Sequence, residues 1–230
     1  MVATVLRELA GGLWVLQVPL RFLGLEVGRN MAVVRLGGGE LLIHSPAPLS
    51  EDLRKALDAL GPVRFVVPAS ALHGHRFMEQ YRETYPQVEL FAAPELPRRR
   101  SDLRFAAQLG DEPDERWAPD LDQALFSGHR LFPEVVFLHR PSRTLLAGDF
   151  AWHVTPALPA PARLWAGWRR GVRPTPGFRL AVRDRDAARR SMERILGWDF
   201  ERIVPGHGEL VETGGRAMLR DGYAWLGVTG

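Results

Sequence analysis

Arg64-Phe-Val-Val-Pro-Ala-Ser-Ala-Leu-His-Gly-His75 is the stretch from which the rest of the chain is best read. Phe65, Val66 and Val67 are apolar and β-prone, as in a buried strand. Pro68 has no amide proton to give a sheet ladder, so the strand ends there. His73 and His75 follow, where a strand hands over to a helix. The ends of buried strands in layered α/β proteins are where sites are usually built. Two more isolated polar groups come after apolar runs: Asp149 after Thr144-Leu-Leu-Ala-Gly, and His207 after Ile203-Val-Pro-Gly. An acid in such a place is costly unless paired, so Asp149 needs a cation, a metal or a donor. Imidazole and carboxylate are also what a metal such as zinc takes as ligands.

Outward from this stretch the chain alternates strands and helices. Leu13-Trp-Val-Leu-Gln-Val reads as a first strand. Met31-Ala-Val-Val-Arg-Leu and Glu40-Leu-Leu-Ile-His44 read as a hairpin turned by Gly37-Gly-Gly39. Ser50 is an N-cap for a helix from Glu51 to Leu60, with Leu53, Leu57 and Leu60 on one face and Gly61-Pro62 as its stop. A second helix is expected from His75 to Tyr85, and Val88-Glu-Leu-Phe is the next strand. This rhythm argues for a sheet covered by helices. Residues 94–119 are rich in Pro, Arg and Asp and read as an irregular surface segment, whose Arg98-Arg-Arg100 is either a phosphate holder or a solvated loop. Leu121 to Phe126, Glu134-Val-Val-Phe-Leu and Arg143-Thr-Leu-Leu-Ala-Gly are successive antiparallel strands, with a turn at Pro141-Ser142. Residues 152–178 break the rhythm with Trp152, Trp165, Trp168, several prolines and Arg163, Arg169, Arg170 and Arg173. That stretch is a lid, a membrane-surface patch, a homodimer contact or a long connection packed on the domain. A helix from Asp186 to Leu196, the strand Arg202-Ile-Val and a helix from Thr213 to Trp225 complete the chain.

Composition narrows the function classes. A chain of 230 residues, 46% hydrophobic, suits one large α/β domain spanning 1–230. There is no cysteine, hence no disulfide framework, thiolate metal site or cysteine nucleophile. The first residues lack a basic region followed by an apolar run, and no stretch approaches the roughly 18 apolar residues of a membrane span. A cytoplasmic location is the expectation. The net charge of +3 is small and Lys55 is the only lysine, so nucleic acid is not an expected partner. Neither a Gly-x-Ser-x-Gly elbow nor a Gly-x-x-x-x-Gly-Lys-Ser/Thr phosphate loop is present, which weakens serine-hydrolase and kinase readings.

The order of these pieces resembles the metallo-β-lactamase fold, and most closely its divergent DUF4336 family of unassigned function. Active members of the superfamily end one strand in His-x-His-x-Asp-His, then carry a middle His, a strand ending in Asp and a late Gly-His. Val66-Val-Pro-Ala-Ser-Ala-Leu-His73 fits the first motif in register, with Pro68, Ser70 and Leu72 standing where His, His and Asp would be. Leu146-Ala-Gly-Asp149 fits the bridging Asp, and Pro205-Gly-His207-Gly fits the last His. Arg35-Leu-Gly-Gly-Gly-Glu-Leu-Leu-Ile-His44-Ser-Pro looks like the early hairpin that normally ends Ile-Asp-Thr-Gly, with His44 replacing Asp.

The resemblance implies an α/β (α+β) four-layer αββα sandwich. It implies a degenerate, at most mononuclear metal site of His73, Asp149 and His207, holding one zinc, iron or manganese ion, or none. His44 would be a fourth ligand or, like His75, would orient water or act as the base. His129 lies near the position of the middle His, His139 is expected to be exposed, and His153 is a further candidate near Asp149. By analogy the activity is that of a metal-dependent hydrolase on a small ester, lactone or thioester. The alternative is a non-catalytic binding or scaffold protein that kept the fold and lost the metal. Either way, His44, His73, Asp149 and His207 are expected to converge on one pocket.

Overall fold

In the computed structural model, the strand Val63–Val67 lies in the middle of a seven-stranded sheet. The structure describes residues 6–22, 24–131, 133–165 and 169–228, with no side chains for Phe22, Leu25 and Trp165; Trp168 lies outside the described residues. The sheet runs in the order Arg7–Ala10, Leu13–Val18, Arg29–Arg35, Leu41–His44, Val63–Val67, Glu89–Ala92, Ala107–Gln108. Its first four strands form antiparallel hairpins. From Leu41–His44 onward the pairing is parallel, because helices or long segments separate the strands.

A second sheet orders Leu121–Phe126, Glu134–His139, Thr144–Leu146 and Arg202–Val204, the last pair parallel. The period-two alternation of side chains explains how the two sheets stack. Ala32, Val34, Leu42, Phe65 and Val67 of the first sheet share one core with Val135, Phe137, Leu146 and Val204 of the second. The alternate residues Met31, Val33, Ile43 and Val66 face outward onto Leu53, Leu57, Met78 and Tyr81 of the first helices. Val136, Leu138, Leu145 and Ile203 likewise face Ala188, Met192, Ile195 and Leu219 of the last two helices. Helix, sheet, sheet, helix is the resulting layer order, the αββα sandwich.

Ser50 caps Glu51–Leu60 by accepting from the Leu53 amide at 3.2 Å, so that helix has the bounds its sequence implies. Four sequence expectations need correction. The helix expected from His75 begins only at Met78. Gly74 adopts φ +87 ahead of it, so the chain turns at 73–77 before it coils. Residues 94–119 are not wholly irregular: Leu96–Arg99 is a short helix and Ala107–Gln108 extends the sheet edge. His139, expected to be exposed, is buried, with Nδ1 2.6 Å from the Ser142 hydroxyl at the turn between two strands. Residues 152–178 contain the strands Trp152–Val154 and Gly171–Arg173, which with His207–Gly208 form a three-stranded sheet beside the sandwich edge. No helix among the described residues is long and apolar enough to cross a membrane.

Candidate metal centre

Three chain turns meet at the sandwich edge where the central strands end. In the first, the Ser70 hydroxyl accepts from the amides of Leu72 at 3.1 Å and His73 at 2.9 Å. The side chain that stands in a family histidine position is thus a turn former, and the turn aims His73 inward. Ser45, in the left-handed region at φ 55, places its hydroxyl 3.3 Å from His73 Nδ1.

The second turn carries Asp149. Its geometry is held from behind by Glu134, which is fully buried and accepts from the amides of Gly148 at 2.7 Å and Phe150 at 2.8 Å. Burial, and then the neighbouring Asp149, push the Glu134 carboxyl well above its ordinary value; the backbone amides of Phe150, Gly148 and Asp149 oppose this. The third turn carries His207. The Gly206 amide donates to the carbonyls of Gly148 at 3.1 Å and Ala151 at 3.0 Å, which locks the second and third turns together. The Asn30 side chain adds bonds to the Pro205 and Gly208 carbonyls at 2.8 and 3.1 Å.

The result brings one ligand atom each from His73, Asp149 and His207 within 4.8 Å of one another. The two imidazoles stand edge to face at 5.1 Å, and the Trp152 ring stacks on His207 at 4.0 Å. This buried His/Asp/His group is able to coordinate a single metal ion.

Hydrogen bonding tests that fit. His207 Nδ1 lies 2.6 Å from the Gly28 carbonyl, which only accepts, so Nδ1 carries the proton there. In the neutral ring Nε2 is then a lone pair, and it faces Asp149 Oδ1 at 3.1 Å. Two acceptors at that distance need a cation between them or a proton on Nε2. His73 Nε2 is buried without a hydrogen-bond partner. Burial lowers His73 to about 4 against the opposing charge of Asp149, with the charges of His207 and Arg29 adding to the lowering, so it is a neutral donor able to bind a cation at neutral pH. With a proton on His207 Nε2, burial raises Asp149, but the bond from His207 and the charges of the protonated imidazoles outweigh it and hold the carboxyl at about 2. The donor set suits zinc, iron or manganese, with room for a further ligand.

The other candidates are dispersed. His44 does not join the group. Strand alternation puts it on the same face as Leu42, between the sheets, where its ring meets Phe137 edge-on at 5.6 Å. Burial lowers it to about 3, and it is absent from the cavity wall. His75 and His129 do line the cavity of about 470 Å³ that opens beside the group. His129 Nδ1 accepts from the Leu131 amide at 3.3 Å and its ring lies 4.5 Å from Phe178. His153 turns away to the Glu209 carbonyl at 2.9 Å. Of the arginine triplet, Arg98 pairs with Glu95 and Arg100 with Asp102, which favours a solvated, internally paired loop over a phosphate holder. Glu134, Asn30 and Arg29 were not singled out in the sequence. An acid opening the apolar run Glu134-Val-Val-Phe-Leu was the one available signal.

Two stacked sheets between helices, with His, Asp and His at converging strand ends, define a protein of the metallo-β-lactamase fold. The fold matches a metallo-β-lactamase from Pontibacter korlensis (TM-score 0.69, 13% identity, 98% of this chain and 99% of that one). It also matches FIM-1 from Pseudomonas aeruginosa in its mono-zinc form (TM-score 0.65, 12% identity, 96% and 93%). A metallo-β-lactamase from Erythrobacter litoralis is similar too (TM-score 0.64, 13% identity, 96% and 91%). No curated protein sequence matches the chain. The family model for the domain of unknown function DUF4336 matches residues 10–167, and the chain belongs to that family.

Proposed function

We propose that this chain is a single-metal hydrolase of esters, lactones or thioesters, with His73, Asp149 and His207 as the metal ligands. The observation that carries this reading is the convergence of one ligand atom each from His73, Asp149 and His207 within 4.8 Å of one another. A bound zinc, iron or manganese ion would supply a Lewis acid for an acyl carbonyl and a means of acidifying water. The chain's own groups do the rest. The Gly28 carbonyl and Trp152 fix the His207 ring, and Ser45 fixes His73. His75, at the cavity wall, takes the proton from the attacking water. Burial and then the charges of Arg100, Arg99 and Arg76 lower its pKa, so it is neutral and able to accept at neutral pH. His44 is sealed between the sheets and takes no such part. Leu20, Leu131, Phe178 and Ala181 line the cavity and would receive the acyl group. The mono-zinc form of FIM-1, a protein of the same fold, is a precedent for one ion in such a sandwich.

A second reading is a binding protein that kept the sandwich without the metal. Ser70, locked into its turn, favours it, since that position offers no ligand. Elemental analysis of protein purified without chelator separates the two. The hydrolase reading expects close to one equivalent of metal, lost in His207→Ala, and acyl-ester hydrolysis lost with it. Metal near zero, unchanged after incubation with zinc, manganese or iron, leaves only the binding protein.

A further inference from the structure

We infer that the cavity beside the His/Asp/His group takes an organic anion, a carboxylate or phosphate head group on an apolar chain, held by Arg29 with Arg76 at the rim. This deepens the proposal above and rests on its reading of the cavity as the substrate pocket.

Arg29 lines the cavity and is 8% exposed. Its Nη2 donates to the Pro46 carbonyl, and its Cζ lies 5.0 Å from the Phe77 ring centroid. Its Nε is buried with no acceptor. Among the described residues no carboxylate forms an ion pair with it, whereas Arg54, Arg116, Arg140 and Arg194 on the surface each pair with one. A buried guanidinium without an anion is rarely kept in a fold unless something else supplies the negative charge. Burial, and to a smaller degree the charge of Arg76, lower Arg29 to about 10, which still leaves it cationic at neutral pH.

The surroundings agree. Arg76 stands exposed at the cavity rim, and it too forms no ion pair among the described residues. Among the described residues the lone carboxylate on the wall is Asp149, whose Oδ1 is engaged with His207. Positive charge is therefore in excess inside the cavity. The opposite requirement, for an apolar chain, comes from Leu72 and Leu131, which are 45% and 54% exposed at the cavity. Large apolar side chains held in water at a cavity lip are stabilised by an apolar ligand. A guanidinium matches a carboxylate or phosphate by paired N–H donors, with directionality that a lysine lacks.

The test is calorimetric titration of the full chain, as purified and again after chelator treatment, with octanoate, octyl phosphate and octanamide. The amide has the same chain and no charge. At least one anion is expected to bind tenfold or more tightly than the amide, in the chelated protein as well, so that coordination to metal is not the cause. Arg29→Gln is expected to remove that advantage, and Arg76→Gln to reduce it severalfold. Octanamide binding as tightly as both anions, no binding of any of the three, or an advantage retained in Arg29→Gln would overturn the inference. If Arg29→Gln does not fold, the comparison on the unaltered chain and the exposed Arg76→Gln still decide. A preference for anions in metal-free protein stands even if the hydrolase reading fails. A metal-loaded, ester-cleaving protein indifferent to charge would sink this inference alone.

Discussion

Glu134 shows how much of the centre depends on a side chain that never touches the cavity. Each of its carboxyl oxygens accepts one backbone amide of the turn that presents Asp149. Neutral or ionised, a carboxyl group is able to accept at both oxygens. A carboxamide accepts at one and opposes the second amide with its own N–H. Glu134→Gln therefore leaves a buried donor unsatisfied, at a cost of about 1–3 kcal/mol. It also frees Asp149 to move, and lost support behind a metal ligand typically weakens metal binding by roughly 10- to 100-fold. Thermal unfolding and zinc titration of the variant are expected to show both losses. Unchanged zinc affinity would mean that Asp149 does not need the Glu134 support. His139, by contrast, is buried far from the centre for reasons of strand termination, bonded to the Ser142 that turns the chain.

Among the elements, the contact between the 148–151 and 205–208 turns assembles the site. A Cβ on Gly206 would overlap the Gly148 carbonyl oxygen, so the two turns meet at a distance that only glycine allows. Gly206→Ala is expected to push the turns apart, separating Asp149 from His207. The predicted result is a stability loss on the order of 1–3 kcal/mol from the forced backbone shift, together with loss of metal binding. A variant that keeps full zinc affinity would refute this assembly. The elements themselves were largely legible. The Ser50 cap, the Gly37-Gly-Gly39 hairpin and the strands around Phe65 and Ile203 follow from local turn chemistry and apolar runs. The delayed start of the second helix was not, because the Ser70 hydroxyl ties up the Leu72 and His73 amides and Gly74 packs against Ser45, and neither effect is one of helix propensity.

Across the whole molecule, several buried histidines make stability depend on acidity. His139 is lowered from 6.5 to about 4 by burial, against the opposing charge of Asp120, and His44 is lowered to about 3. The unfolded chain therefore binds more protons than the folded one below pH 6.5. Their stabilisation is complete above that pH and is lost as the pH falls towards their folded values. Glu134 acts with the opposite sign: its raised carboxyl contributes stability that is lost as the pH rises through its folded value. Asp149 contributes stability that is present above its unfolded value of 3.8 and lost as the pH falls towards about 2, so it acts below most of the histidine window. Urea unfolding of chelated protein is expected to show a marked fall in stability between roughly pH 6.5 and 4. His139→Gln should flatten part of it. A curve level from pH 7 to 5 would contradict neutral burial of these rings.

Residue order settled the fold, because each layer face is written into a period-two alternation and each strand end into a proline, glycine or lone polar group. Those signals are local, so they survive in one dimension. His73, Asp149 and His207 were visible for the same reason, as polar groups stranded after apolar runs. The family resemblance placed these three in one pocket; that His44 does not join them was not visible. His44 has the same local signature, yet strand register turns it into the core between the sheets. Arg29 and Glu134 belong to the site through packing alone: their partners, Pro46 and the Gly148 and Phe150 amides, are 14 to 17 residues away along the chain. Direction across a sheet and contact between distant turns are properties of three-dimensional packing, and only the folded chain could decide them.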